Sequence, residues 1–162
     1  MKDILLLLLL CFFSAKMNGQ AVVLNEFMSK NNSTLQDEDG DFSDWIELYN
    51  TSNSSINLLN HTLSDDINNL DKWVFPEVYL LPHRYMLIFA SEKNRTNTTE
   101  LHTNFKIASS GEELFLTNNL GAIITQTNAV NLSINESYSR VPDGNINWLI
   151  TDVSSPNDKQ SL

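Results

Sequence analysis

Short apolar runs recur from residue 22 onward, separated by clusters of Asn, Asp, Ser, Gly and Pro, and none repeats at helical spacing. The pattern predicts strands over residues 22–28, 45–49, 56–58, 61–63, 73–75, 84–90, 104–107, 113–117, 122–126, 137–140 and 148–150. Alternation assigns faces: Ile46 and Leu48 point one way with Glu47 and Tyr49 opposite, while Leu114 and Leu116 oppose Phe115. Two packed sheets would use both sets, so the expected class is all-β. Turn chemistry supports it. Asn118, Asn119 and Gly121 tolerate positive φ between two strand-like runs, Pro142-Asp143-Gly144 is a second turn, and Pro82, after Leu80-Leu81, sits in the loop that ends one strand and opens the longest apolar strand.

The most distinctive stretch is the acidic turn that runs into the second strand. Asp37, Asp39, Asp41 and Asp44 place four carboxylates around Gly40, and hard oxygen ligands at that density suit Ca²⁺. The register is not that of an EF-hand loop. Counting from Asp37, Phe42 stands where Gly is required and Leu48 where a bidentate Glu is required. The two expectations are thus a Ca²⁺ site or a solvated acidic turn. In the strand itself Trp45 and Tyr49 share a face with Glu47 between them. Exposed, that face would be a binding surface for a sugar ring; packed, it would be a sheet anchor.

The N-terminus reads Met1-Lys2-Asp3 followed by an unbroken apolar run from Ile4 to Phe13 and then small and polar residues, which predicts a secretory signal peptide over residues 1–20. The apolar run is too short to span a bilayer, so no transmembrane segment is expected in the mature chain. Its removal leaves 142 of 162 residues, one domain's worth, and takes away Lys2, Lys16 and Asp3. A net charge of −10 for the whole chain then becomes −11. Such a surface repels phosphate backbones, so nucleic acid is not an expected partner. The sole cysteine, Cys11, falls in the leader, which leaves the domain to be held by packing. No nucleophile-elbow motif is present, and His61, His83 and His102 lie in separate segments without metal-pair spacing. Nine N-x-S/T triplets begin at Asn31, Asn32, Asn50, Asn53, Asn60, Asn94, Asn97, Asn131 and Asn135; a chain this rich in Asn, Ser and Thr generates them by composition.

The run from Asp37 to Asn50, DEDGDFSDWIELYN, resembles the first loop and second strand of the lamin tail domain in its secreted bacterial form. Further similarities follow in order: Leu63-Ser64-Asp65-Asp66, Lys72-Trp73-Val74-Phe75-Pro76, Leu87-Ile88-Phe89-Ala90-Ser91, the segment from Leu101 to Ile107, Gly111-Glu112-Glu113-Leu114, and Ser139-Arg140-Val141-Pro142-Asp143-Gly144. Together they span residues 22–157. The resemblance implies an immunoglobulin-like β-sandwich over residues 21–158 with a short tail at 159–162. It also implies a non-catalytic role, as in bacterial domains that tether or position extracellular hydrolases and spore-coat-type kinase domains. The expected protein is therefore a secreted or cell-surface module that binds a protein or glycan, with no catalytic residues. Its rivals are a Ca²⁺-assisted carbohydrate-binding module, which needs an exposed Trp45/Tyr49 face or a similar aromatic patch with a metal at the acidic loop, and a small extracellular hydrolase, which needs Glu47, Asp65 or His102 to converge in a pocket.

Overall fold

The computed structural model describes residues 21–97 and 99–157; the expected leader over 1–20 and the tail at 159–162 lie outside them. Their strands are β1 (Val22–Met28), β2 (Asp44–Asn50), β3 (Ile56–Asn57), β4 (Thr62–Ser64), β5 (Trp73–Val74), β6 (Tyr79–Leu80), β7 (Tyr85–Ala90), β8 (Leu101–His102), β9 (Phe115–Thr117), β10 (Ile123–Gln126), β11 (Ser137–Arg140) and β12 (Trp148–Thr151), with no helix among the described residues. A six-stranded sheet in the order β12-β11-β1-β2-β7-β8 packs on a four-stranded sheet, β10-β9-β4-β5, and β3 pairs with β6. Neighbours are antiparallel except β7 and β8.

The alternation drives this architecture. Leu24, Ile46, Leu48 and Ile88 from the large sheet meet Leu63, Trp73 and Leu116 from the small one in a single buried core. Each such side chain contributes about 1.5–3 kcal/mol on leaving water. The opposite face of β2 is buried as well. Trp45 packs with Met28 and Phe89 in a second cluster, sealed by Leu35 and Leu87. The loop that carries Leu35 is held down by Asn31, whose side-chain amide donates to the carbonyls of Leu35 and Ser43 at 2.6 and 2.8 Å. A central strand covered on both sides explains why β2 combines an apolar set with Trp45 and Glu47.

Two local expectations are corrected. Residues 104–107 form no strand; Leu101 and His102 pair with β7 instead, while Phe105 and Ile107 reach the core from irregular backbone. The strand expected to end ahead of Pro82 had no range in the sequence pattern; it is the short β6, and Asn50 accounts for it. The Asn50 amide, fully buried, donates to the carbonyls of Leu80 and Leu81 at 2.9 and 3.1 Å and to that of Ser54 at 2.8 Å, which fixes the chain ahead of Pro82. The Asn118 turn is as expected, closed by Ala122 and Gly121 with the glycine at φ 77°.

Gly111 is the position where glycine is indispensable. It has φ +92°, and a Cβ there would lie 2.6 Å from the Val130 carbonyl carbon and oxygen. Gly111→Ala is expected to cost about 2 kcal/mol or more, since both the left-handed backbone and the close approach are violated. Urea denaturation measures it as a lower midpoint.

Candidate functional site

The acidic loop folds back on itself around Asp37. The Asp37 carboxylate is buried and accepts the backbone N–H groups of Asp39 and Asp41, each at 3.1 Å, and the Ser43 hydroxyl at 2.8 Å. Gly40, at φ 83°, supplies the sharp turn that lets its N–H reach the Asp37 carbonyl at 2.9 Å. Opposite the loop runs the segment after β7. Arg95 and Asn94 pair through backbone bonds with His102 and Thr103, which aims alternate side chains, Lys93 and Arg95, at the loop.

Charge then closes the site. The Lys93 ammonium stands 2.7 Å from Asp37, 2.7 Å from Asp39 and 2.9 Å from Asp41. Arg95 bridges Glu38 and Asp39, each at 2.8 Å. Burial pushes the Asp37 carboxyl up, but the bonds from Lys93, Ser43 and the loop amides overcome it and hold the group below the ordinary aspartate value. Asp39 is lowered by Arg95 and then Lys93. Burial acts against the Lys93 charge too, yet three carboxylates raise its pKa.

A polar chain continues behind the loop. His102, fully buried, shares a hydrogen bond of 2.8 Å with Glu38 through Nε2 and one of 2.8 Å with Ser91 through Nδ1. Its ring stacks on Phe89 at 5.3 Å. Glu100 accepts the Glu38 N–H at 2.7 Å. The Glu38 carboxyl is lowered, first by its bond to Glu100 and then by His102, while burial and Glu38 raise Glu100. Beside this chain a cavity of about 490 Å³ is lined by Asp41, Phe42, Ser43, Asp44, Ala90, Ser91, Lys93 and Lys106.

The structure sorts the residues singled out from the sequence. Asp37, Asp39 and Asp41 converge, with one oxygen of each within 4.8 Å of the others. Asp44 does not join them. It begins β2, and burial pushes its carboxyl up to about 6. Trp45 and Glu47 are fully buried, so the Trp45–Glu47–Tyr49 face is a packed one and differs from the open platform that sugar stacking requires. Tyr49 is half-buried and stacks on Tyr85 at 4.8 Å. His102 meets Glu38 and Glu100, not Glu47 or Asp65. Sequence reasoning missed Lys93 and Arg95. Their spacing of two just beyond an apolar strand is the signal for two cations on one side of an extended segment.

An immunoglobulin-like sandwich whose acidic loop is paired to its own cations is the class these features define. The chain belongs to the Lamin Tail Domain family, which it matches over residues 15–136, and that family is a non-enzymatic one. A search of curated proteins finds no match. The sheet continues past the matched region, since β11 pairs with β1 and β12 with β11. No described helix is long and apolar enough to cross a membrane.

Proposed function

We propose that this domain is a secreted, non-catalytic binding module that holds or positions a partner outside the cell or at its surface, and that its acidic loop is a self-neutralised latch. The observation that carries the latch is the Lys93 ammonium within 2.9 Å of all three carboxylates, in the place a bound cation would take. A rigid, pre-paired loop suits display, because little order remains to be acquired when a partner docks. The apolar leader over residues 1–20 supports export.

Ser91, His102 and Glu38 are hydrogen-bonded in series, the order of a nucleophile, base and acid, and Ser91 borders the 490 Å³ cavity. The arrangement favours a structural role. Ser91 is 7% and His102 0% exposed, and the Ser91 oxygen also accepts the Lys93 N–H at 3.3 Å. Wild type and Ser91→Ala are expected to hydrolyse p-nitrophenyl acetate at the same background rate. A wild-type excess of about a hundredfold or more, the range that general-base assistance supplies, would revive the hydrolase.

The proposed role itself is tested by expressing the tagged full-length chain in its source cells. The expected product is external, starts near residue 21, and yields a defined adduct on surface cross-linking. An intracellular product that keeps residues 1–20 would refute the reading.

A further inference from the structure

Away from the latch, one cation has no counterion among the described residues. Arg140, the last residue of β11, is 8% exposed, and its guanidinium lies between the two sheets. Nε donates to the Leu24 carbonyl at 2.7 Å, one terminal nitrogen donates to the Asn145 carbonyl, and the other donates to the Thr125 hydroxyl at 3.3 Å. The β1 backbone is irregular between Leu24 and Glu26, and the Leu24 carbonyl is taken by this side chain. Three of five N–H groups are thus engaged, all by neutral acceptors. None of the ion pairs among the described residues includes Arg140. Its flat face rests on Trp148 at 4.6 Å.

A buried guanidinium balanced only by neutral dipoles is costly, and a carboxylate is the group whose fork geometry matches it. The surroundings leave room for one. A cavity of about 430 Å³ is lined by Arg140 and by Ile123, Ile124, Thr125 and Gln126, the whole of β10. β10 is the edge strand of its sheet: it pairs with β9 on one side and with no described strand on the other. Free N–H and C=O groups along such an edge accept a further extended strand, and alternate side chains of that strand point into the adjoining pocket.

We propose that β10 and Arg140 form a recognition site for an extended acidic peptide, which adds as a strand to β10 and sets an Asp or Glu carboxylate on the Arg140 guanidinium. This rests on the reading of the domain as a binding module and gives that reading its partner chemistry. The charge of −10 on the chain disfavours anions at long range, so selectivity comes from the short-range fork and the strand pairing.

Trp148 supplies the reporter, since it touches Arg140 and is half-exposed, whereas Trp45 and Trp73 are buried. The full mature chain is titrated with the capped pentapeptide Thr-Val-Glu-Val-Thr, with its Gln counterpart, and with acetate, and Trp fluorescence is followed. The expected result is saturable binding of the Glu peptide, at least about tenfold tighter than the Gln peptide, and no saturation by acetate in the same range. Arg140→Lys keeps the charge and loses the fork, and should weaken the Glu peptide by about tenfold. Should that variant unfold, Ile123→Glu, at a partly exposed rim position, is expected to do the same by repulsion. Equal binding of the Glu and Gln peptides, acetate binding as tightly as the peptide, or an undiminished affinity in Ile123→Glu would each overturn the proposal. Failure of all peptides while surface cross-linking still yields its adduct would reject this site and leave the binding role standing.

Discussion

Replacing Lys93 with Met is expected to lower stability by about 2–3 kcal/mol, because it removes the charged partner of a buried carboxylate and leaves it only the Ser43 hydroxyl and two loop amides. The loss falls mainly on Asp37, whose side chain is fully buried, whereas Asp39 and Asp41 are 39% and 66% exposed and are screened by water and salt. The variant also exposes what the lysine conceals. Three carboxylates with oxygens within 4.8 Å of one another then repel, and a divalent cation becomes the natural remedy. Ca²⁺ should therefore stabilise Lys93→Met by mass action. Chemical denaturation with and without the ion measures both effects.

The second large effect is a fall in stability as pH rises through neutrality. Glu47 sits in the centre of the large sheet, fully buried, and its carboxylate accepts the Asn157 N–H at 2.6 Å and the Asn25 amide at 3.1 Å. Burial pushes its pKa up to about 8, outweighing those two bonds, and the neighbouring charges of Glu26 and Asp143 push the same way. Since the folded value lies above the unfolded one, the protonated group favours folding fully below about pH 4.5, and that advantage is lost as pH rises through about 8. At roughly 1.4 kcal/mol per unit, the window amounts to several kcal/mol. Asp44, raised to about 6, acts in the same direction over the lower half of the window. The lowered carboxylates of the latch, Asp37 and Asp39, matter only at the acid end, where their protonation removes stability as pH falls. Melting temperature should thus decline between pH 5 and 8, and Glu47→Gln should flatten most of that decline. A wild-type profile that is level or rising across the window would contradict the assignment.

How much of this was legible in the sequence depended on whether the signal was local. Apolar runs bounded by turn residues located β1, β2, β7 and β11, and alternation assigned the faces of β2, because a pleated strand turns its side chains to opposite faces every second residue. The same rule misread 104–107, where Phe105 and Ile107 reach the core without ladder partners. For the site, Gly40 and the carboxylates of the turn announced a tight acidic loop, and that is what forms. The cation it holds could not be read locally. Lys93 lies more than fifty residues away and is delivered by the pairing of β2 with β7, a tertiary event. Glu47 was misleading for the opposite reason: a charged residue in an alternating strand reads as outward, yet the outer face of β2 is itself covered, by Leu35 on one side and the segment around Asn157 on the other. His102, at the end of β8, is likewise buried because the loop it braces closes over it.

The latch is tested most directly by melting residues 21–162 in excess EDTA and again in millimolar Ca²⁺. With Lys93 already seated among Asp37, Asp39 and Asp41, the two melting temperatures should coincide, while Lys93→Met gains stability from the ion. A clear upward shift in the wild-type protein would contradict it and make the acidic loop a calcium site.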